Sequence, residues 1–399
     1  MRNSWIAGLS GLVSALAVLL LVLAGTSNAS TDSPRNTPPV GKQLVELQGT
    51  DTGSGDAVGV SVAIAGTTAV VGAPGHAKDV GLVYVFAKTA TGWKQTAELK
   101  GSGTVAGDFF GYAVAISGRT VVVGAPGYHK NAGRVYVFRR GTTRWRQVAE
   151  LKGSAVSGDY LGDAVAVSGS TAVVGSDGND KNAGRAYVFS GAGTRWKQAA
   201  ELKGSDTIAQ DGFGYTVAVS GATAIVGAPD HAKDSGRAYV FIGSGAHWSQ
   251  VAELKGSDTV SDNGFGVAAA LSGTAAVIGA PGYKSATGRA YVFEDSAGRW
   301  SQVAELKGSG TVGADDFGYA VAISGTTLAL GAPGYSKNTG RLYLFGRSDG
   351  AWKQLASVKG SDTVSGDYLG YSVGIFGDTA VVGADGHSKS AGRAYLFGA

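Results

Sequence analysis

The chain has 399 residues, a formal net charge of +4, no cysteine, and 66 glycines against 8 prolines. Without cysteine it can form neither disulfides nor thiolate metal sites, and so small a net charge gives no reason to expect a nucleic-acid partner. The low proline content argues against collagen-like or proline-rich disordered structure, and Val, Ala, Tyr and Phe are plentiful enough for a hydrophobic core.

The N-terminus has the composition of a targeting segment. Arg2 precedes an apolar run from Trp5 to Ala24, and small residues around Ala29 fit a cleavage site. This pattern predicts a secretory signal peptide over residues 1–29 and a secreted or cell-surface location. An uncleaved membrane anchor is the alternative, because the run approaches the length that spans a bilayer. Residues 30–42 are predicted to form a flexible linker.

From residue 43 onward the chain consists of seven copies of one unit. Equivalent residues recur every 52 positions, with a single interval of 51. Each copy holds four short runs of alternating apolar residues between Gly-rich turns, which predicts four β-strands. Four strands in about 50 residues are typical of a β-propeller blade. The blades cover roughly residues 56–100, 108–152, 159–203, 211–255, 263–307, 315–359 and 367–399.

The two ends of the repeat region predict how the ring closes. The last copy stops after its third strand, GRAYLFGA, whereas KQLVELQG near the start matches the fourth-strand word WKQTAELKG. We therefore predict that residues 43–49 complete the last blade. The fold class is all-β, a seven-bladed propeller with four antiparallel strands per blade. An open β-solenoid is the alternative, but it would not need the two fragments to add up to one unit.

Residue size and charge along the unit agree with this architecture. Small residues of the first strand suit the crowded axis, and the aromatics of the third strand with the Trp of the fourth suit the wider outer gap. The outer strand carries a glutamate in most copies, which we expect to oppose edge-to-edge aggregation. These glutamates are Glu98, Glu150, Glu201, Glu253 and Glu305.

The words FGYAVAISG, VVGAPG and GRVYVF recur in this order and resemble the FG-GAP repeat, the blade unit of integrin α-subunit propellers. The closest likeness is to the calcium-poor variant in exported microbial proteins. The resemblance implies a secreted or surface propeller used for binding, without implying one ligand. In several integrin blades an Asp-rich loop between strands one and two binds calcium.

Here the seven turns at that place, such as SGTT at 324–327, contain a single carboxylate among them, that of Asp378. Calcium takes roughly 6–8 oxygen ligands, usually including several carboxylates. We therefore expect tight glycine turns, no metal site, no cofactor and no calcium dependence.

Two loop sets are predicted to share one face of the ring and to form the candidate ligand site. The loops between strands two and three carry Lys78, Lys130, Lys181, Lys233, Lys284, Lys337 and Lys389. The loops between strands four and one carry Asp56, Asp108, Asp159, Asp211, Asp315 and Asp367, with Asn263 in the fifth blade. In one interpretation each Asp caps turn amides and a Lys, or an Arg opening strand three, neutralises it. In the other, these residues form a repeated site for an anionic or sugar ligand.

Some loops depart from the common pattern. His76, His231 and His387 share one position, with His129 one residue further on, and we expect them to be solvated loop groups rather than metal ligands. Extra acids occur in the third, fourth and seventh blades: Asp177, Asp180, Asp230, Asp234 and Asp385. They mark either a one-sided acidic site or drift in exposed loops.

The expected function is that of a non-enzymatic binding, adhesion or protein-interaction module. Loop lengths are nearly constant, and no blade shows a unique carboxylate pair, a nucleophile elbow or a His–Glu metal motif. We expect a monomer with a protein or glycan ligand on the loop face, no nucleic acid, and membrane contact only through a retained N-terminal segment. The first alternative is a multivalent carbohydrate-binding propeller, in which weak sites add through avidity. The others are a structural surface protein without a specific ligand and, behind both, a propeller hydrolase or lyase.

Overall fold

The computed structural model describes residues 38–399, which form seven four-stranded antiparallel sheets arranged as the blades of a propeller. The predicted signal peptide and most of the predicted linker lie outside the described residues. Within the described part of the chain, no helix is long and apolar enough to cross a membrane.

The first strands of neighbouring blades pack against each other around the axis, and the second, third and fourth strands follow outward. The first strands are β2 Val62–Ala65, β6 Val114–Ser117, β10 Val165–Ser168, β14 Thr216–Ser220, β18 Ala268–Ser272, β22 Ala320–Ser324 and β26 Val373–Phe376. The second strands are β3 Thr68–Ala73, β7 Thr120–Ala125, β11 Thr171–Ser176, β15 Thr223–Ala228, β19 Ala275–Ala280, β23 Thr327–Ala332 and β27 Thr379–Ala384.

The third and fourth strands form the outer half of each blade and are mostly longer than the inner two. The third strands are β4 Leu82–Thr89, β8 Arg134–Arg140, β12 Arg185–Ala192, β16 Arg237–Ser244, β20 Arg289–Ser296, β24 Arg341–Ser348 and β28 Arg393–Gly398. The fourth strands are β5 Gly92–Leu99, β9 Trp145–Leu151, β13 Arg195–Leu202, β17 His247–Leu254, β21 Arg299–Leu306, β25 Ala351–Val358 and β1 Gln43–Leu47.

A four-residue helical turn links the second strand to the third in every blade. The turns are α1 His76–Asp79, α2 Tyr128–Asn131, α3 Asn179–Asn182, α4 His231–Asp234, α5 Tyr283–Ala286, α6 Tyr335–Asn338 and α7 His387–Ser390. Their last three residues have positive φ, as in Ala77, Lys78 and Asp79 at 53°, 62° and 66°. L-residues in this left-handed region cost roughly 1–2 kcal/mol each, so the surrounding hydrogen bonds must hold the turn in shape.

The Phe-Gly, Leu-Gly or Val-Gly dipeptide that opens each repeat makes the junction with the preceding blade. Gly81, just before the third strand of the first blade, bridges to Phe110 of the second, and the Phe110 N–H donates to the carbonyl of Val80 at 3.1 Å. Gly81 has a φ of 86°, and a Cβ there would overlap the Phe110 carbonyl oxygen. The Phe110 ring is fully buried and meets Tyr136 edge-on at 5.4 Å between ring centroids. The repeated glycine and aromatic positions therefore form a single inter-blade contact.

The predicted closure of the ring is confirmed. Strand β1 pairs antiparallel with β28, with Gln43 opposite Phe397 and Leu47 opposite Ala394. The linker is shorter than expected, because residues 38–42 pack on the last blade: the Gly41 N–H donates to the Gly398 carbonyl at 2.8 Å. The two ends of the repeat region therefore meet in one sheet, and blade seven has all four strands.

Candidate functional site

The loops lie on two faces of the ring. Because each sheet is antiparallel, the connections from fourth to first strands and the turns α1–α7 share one face, which we call the upper face. The turns between first and second strands and the hairpins between third and fourth strands lie on the opposite, lower face. The lysines and aspartates of the candidate site are all in upper-face loops.

The loop aspartates recur at a regular spacing because each of them caps the turn in which it lies. Asp108 is buried, and its Oδ2 accepts the backbone N–H of Val105 at 2.8 Å. Asn263 does the same through Oδ1 for Val260 at 2.9 Å. Equivalent bonds of 2.7–2.9 Å occur at Asp56, Asp159, Asp211, Asp315 and Asp367. The capping interpretation made from sequence is confirmed for these carboxylates.

The partners of these aspartates differ from the expected lysines and arginines. The Nδ1 atoms of His76, His231 and His387 lie 3.0, 2.9 and 2.8 Å from the capping carboxylates of Asp56, Asp211 and Asp367. The three imidazole side chains are only 9–19% exposed, so the expectation of solvated histidines was wrong for them, whereas His129 is exposed as expected. The geometry explains it: the first residue of α1, α4 and α7 sits directly over the capped turn.

The arginines that open the third strands pair with the outer-strand glutamates instead. Arg134 Nη1 lies 2.6 Å from Glu150 Oε2, and Arg237 Nε lies 2.6 Å from Glu253 Oε1. The pairs are Arg134–Glu150, Arg185–Glu201, Arg237–Glu253, Arg289–Glu305 and Arg393–Glu46. The expected neutralisation of the loop aspartates by arginine was therefore wrong, because the strand register places five of these arginines beside a glutamate of their own blade. The sixth, Arg341, donates to the Ser357 hydroxyl that stands in the glutamate's place.

The ring of lysines projects from the helical turns. Lys78, Lys130, Lys181, Lys233, Lys337 and Lys389 occupy one left-handed position, and Lys284 is one residue earlier, as predicted. All seven are exposed, and within residues 38–399 none of them forms an ion pair with an acid. The Lys284 Nζ lies 5.3 Å from the centroid of the Tyr283 ring. These ammonium groups are available to a ligand.

A second exposed ring on the upper face was not anticipated from sequence. Five capping aspartates and Asn263 each fix a β-branched residue three positions earlier that has 61–68% of its surface exposed. These residues are Val105, Val156, Ile208, Val260, Val312 and Val364. Loop sequences such as SGTVAGD and SDTVSGD carried this signal, because the Val is apolar in a loop that is otherwise polar. Six of the seven loops thus present one exposed apolar residue at the same position of the upper face.

The upper end of the axis is lined by one residue from each blade. Each lies two positions after the Phe, Leu or Val of the blade junction, and together they are Val60, Tyr112, Asp163, Tyr215, Val267, Tyr319 and Tyr371. The Tyr319 and Tyr371 rings are 5.1 Å apart. Burial, then the nearby Asp163 and Tyr371, raise the pKa of the Tyr112 hydroxyl well above its usual range. Side chains from blades two, three and seven influence one another because they converge on the axis.

A carboxyl pair at this axial ring contradicts one expectation. Asp163 is hydrogen-bonded to Asp177 of the same blade, and burial together with Asp177 raises the pKa of Asp163 well above its usual range. The third blade therefore does carry a unique carboxylate pair. Sequence reasoning missed it because Asp163 replaces a tyrosine, and Asp177 a proline, at positions whose convergence only the fold reveals.

The extra loop acids fall into two groups. Asp177 and Asp385 replace the proline of the GAP motif; Asp177 bonds Asp163 at the axis, and burial raises the pKa of Asp385 to about 7. Asp180, Asp230 and Asp234 are exposed, and Asp180 lies 3.6 Å from Arg185. Both interpretations of these acids, a one-sided acidic site and drift in exposed loops, stay predictions.

The turns between first and second strands are the tight glycine turns that were expected. In each, the first turn residue is a glycine with φ between 54° and 58°, as in Gly118 and Gly325. Within residues 38–399, no group of three or more His, Cys, Asp or Glu side chains is placed to hold a metal ion.

The chain was compared with protein-family models, with curated proteins and with solved structures. The FG-GAP repeat matches residues 42–86, 93–138, 145–189, 196–241, 248–293, 300–345 and 352–397. None of the curated proteins matches the chain. Among solved structures, the crystal structure of the Saccharomyces cerevisiae Sqt1 is similar with a TM-score of 0.48 and 11% identity, over 90% of this chain and 86% of that one. With the matched segments spanning all seven blades, the chain belongs to the FG-GAP repeat family.

Proposed function

We propose that this propeller is a non-enzymatic binding module, secreted or held at a cell surface, whose upper face engages a protein partner. One observation carries the proposal: six exposed β-branched residues, each fixed by a buried capping Asp or Asn, share the upper face with exposed lysines that form no ion pair within residues 38–399. An apolar contact flanked by cations is suited to a partner surface with an apolar centre and acidic rim. Rigid caps also lower the ordering cost of binding.

The carboxyl pair at the axis does not lead us to propose catalysis. Asp163 and Asp177 are hydrogen-bonded to each other, whereas glycosidase carboxylates stand roughly 5–9.5 Å apart to admit the sugar or a water. Tyrosines occupy four of the seven positions that line the upper end of the axis, and their side chains narrow it further. The pair is suited to closing the axis rather than to transferring a proton to a substrate.

The test compares two matched triple variants of the purified protein in a screen against displayed proteins and a glycan array. One variant changes upper-face residues, Val156→Ser, Ile208→Ser and Val260→Ser. The control changes apolar residues of the outer strands that are 45–51% exposed, Val251→Ser, Val303→Ser and Leu355→Ser. We expect saturable binding of a protein ligand that weakens at least tenfold, about 1.4 kcal/mol, only in the upper-face variant. Equal loss in the control would contradict the proposal.

A multivalent carbohydrate-binding function is the second candidate, and a cleft favours it. An open space of about 530 Å³ lies between the loop Asp258–Asn263 and the turn Gly282–Ser285. Its lining includes carboxylate, amide and ammonium groups, which sugar hydroxyls can bond. Glycan binding at several equivalents per chain, together with an empty protein screen, would support this candidate over the first.

A further inference from the structure

The lower face of the first three blades carries cations without acids. Their lower-face segments, residues 85–97, 137–149 and 188–200, contain no Asp or Glu. With the turn residue Arg119, the cations are Lys88, Lys94, Arg119, Arg139, Arg140, Arg144, Arg146, Arg195 and Lys197, all exposed. The same face of the last three blades is mixed, with Glu294, Asp295, Asp349 and Asp378 among its charges. We call the cationic region the lower-face patch.

Two arginines of this patch stand directly opposite each other. Arg139 of β8 and Arg146 of β9 are register partners, so their side chains leave the same side of the sheet. Like charges in directly opposed positions destabilise an antiparallel pair. The corresponding pairs of other blades hold at most one charge, as in Ser190–Lys197 and Glu294–Ser301. Within the described residues, neither arginine forms an ion pair with an acid.

The junction of blades five and six shows how a charge at this place can be neutralised. There Glu294, at the position of Arg139, reaches across the junction to Arg347 of the next blade, with contacts of 2.5 and 3.2 Å. This is a two-pronged pair of carboxylate and guanidinium. Between blades two and three, Arg139 stands in place of the glutamate and Gly191 in place of the arginine. One junction is thus neutral, and the other keeps a cation with no counter-charge.

The unfilled junction is a cavity. A space of about 180 Å³ is lined by Arg139 and Val148 of the second blade and by Ser170, Gly193 and Trp196 of the third. Arg139 Nη1 lies over Gly193, whose missing side chain leaves the guanidinium accessible: a Cβ built there would be 3.7 Å from it. A planar guanidinium binds carboxylate and sulfate groups with two parallel hydrogen bonds, and Trp196 offers an apolar wall beside it.

We propose that this cavity binds the carboxylate or sulfate group of an anionic polysaccharide, with Arg139 as the main contact and Arg146 as its support. Successive acidic sugars would extend from the cavity over the remaining cations of the lower-face patch. A nucleic acid fits less well, because bases stack on exposed aromatic rings and the tryptophans of these hairpins, Trp93, Trp145 and Trp196, are partly buried. The site lies on the face opposite the one in the proposed function and can stand or fail separately.

The test measures affinity of the purified protein for four polyanions at low and physiological salt. The probes are heparin, which is sulfated, hyaluronan, which carries only carboxylates, poly-glutamate, and a single-stranded oligodeoxynucleotide of similar charge. We expect salt-sensitive binding of heparin or hyaluronan, tightest for the one whose anionic group suits the cavity. Binding of neither polysaccharide, or tighter binding of poly-glutamate or of DNA than of both, would overturn the proposal.

Variants assign the binding to the cavity. Arg139→Gln should weaken polysaccharide binding at least tenfold, and Arg146→Gln should weaken it less. Both should melt at or above the wild-type temperature, because each relieves the opposed charges. The control Lys181→Gln/Lys233→Gln removes two exposed upper-face cations and should leave the affinity unchanged. If this control weakens binding as much as Arg139→Gln does, the attraction is general rather than local, and the proposed site is wrong.

Discussion

At the scale of single residues, Asp385 is the clearest departure from the repeat. Five blades place a proline at this position: Pro74, Pro126, Pro229, Pro281 and Pro333. The buried Oδ1 of Asp385 has no hydrogen-bond partner, and burial raises the pKa of its carboxyl to about 7. The unfolded chain should titrate this group near its ordinary value of about 3.9. Folding therefore favours the protonated acid, and the stability that it contributes below about pH 4 is lost as the pH rises toward 7.

We expect Asp385→Asn to stabilise the protein at pH 8 and to have little effect at pH 4. The amide keeps the shape of the acid but cannot ionise, so it avoids a buried charge that costs up to about 4 kcal/mol for a pKa raised by roughly three units, or several degrees in melting temperature. Thermal melting at the two pH values measures this. The control Asp349→Asn, in an exposed hairpin, should show the same small change at both. A pH-independent effect of Asp385→Asn would contradict the assigned burial.

At this scale, the role of a residue could be predicted from the sequence when its partners lie close to it in the chain. The capping role of Asp108 could be predicted, because its acceptor and the Val105 amide are three residues apart. The Asp163–Asp177 pair could not, since its meaning depends on which side chains converge at the axis. The opposition of Arg139 and Arg146 needed the exact strand register, which the β-bulge between Val137 and Phe138 shifts by one residue.

At the scale of the element, glycines serve two different purposes within the same blade. Gly221, in the turn from β14 to β15, has a φ of 58°, and a Cβ added there would stand in open space. Gly236, before β16, has a φ of 77°, and a Cβ there would overlap the carbonyl oxygen of Phe265 in the next blade. Backbone conformation requires the first glycine, whereas conformation and close blade contact together require the second.

We therefore expect Gly236→Ala to destabilise the propeller far more than Gly221→Ala. The turn variant should cost about 1 kcal/mol, the strain of one left-handed residue. The junction variant adds a steric overlap with backbone that cannot move without separating blades four and five, for which we expect more than ~3 kcal/mol or failure to fold. Denaturant unfolding of the two variants measures the difference. Equal losses would show that the junction yields more easily than its geometry indicates.

At the scale of the whole molecule, the repeat words were sufficient to predict the ring and its closure, because each word is tied to one strand and the fragments at the two ends are complementary. The extent of β1 differed slightly, as the strand ends at Leu47 rather than at residue 49. The uneven charge of the lower face was harder to foresee, since it arises from differences between copies that otherwise look alike.

Removing β1 should open the ring and expose the edge of β28. We expect a chain lacking residues 1–47 to melt at least 5 °C lower than one lacking residues 1–37, and to self-associate, because an unpaired strand edge is a template for another chain. Calorimetry and size-exclusion chromatography test both effects. The shorter truncation is the matched control, since it retains every described contact of β1. Identical melting and a monomeric elution would mean that closure adds no stability.

The pairing of β1 with β28 also determines when, during synthesis of the chain, the ring can close. The ribosome releases Gln43 long before Phe397, its partner in the sheet. At ~5–20 residues per second, the first strand waits roughly 20–70 s for the last one to be made. Until then six blades can assemble while the seventh is incomplete, and Gln43–Leu47 must stay free of other strands. Maturation therefore depends on one late event, and whatever keeps Gln43–Leu47 away from β28 delays the completion of the entire ring.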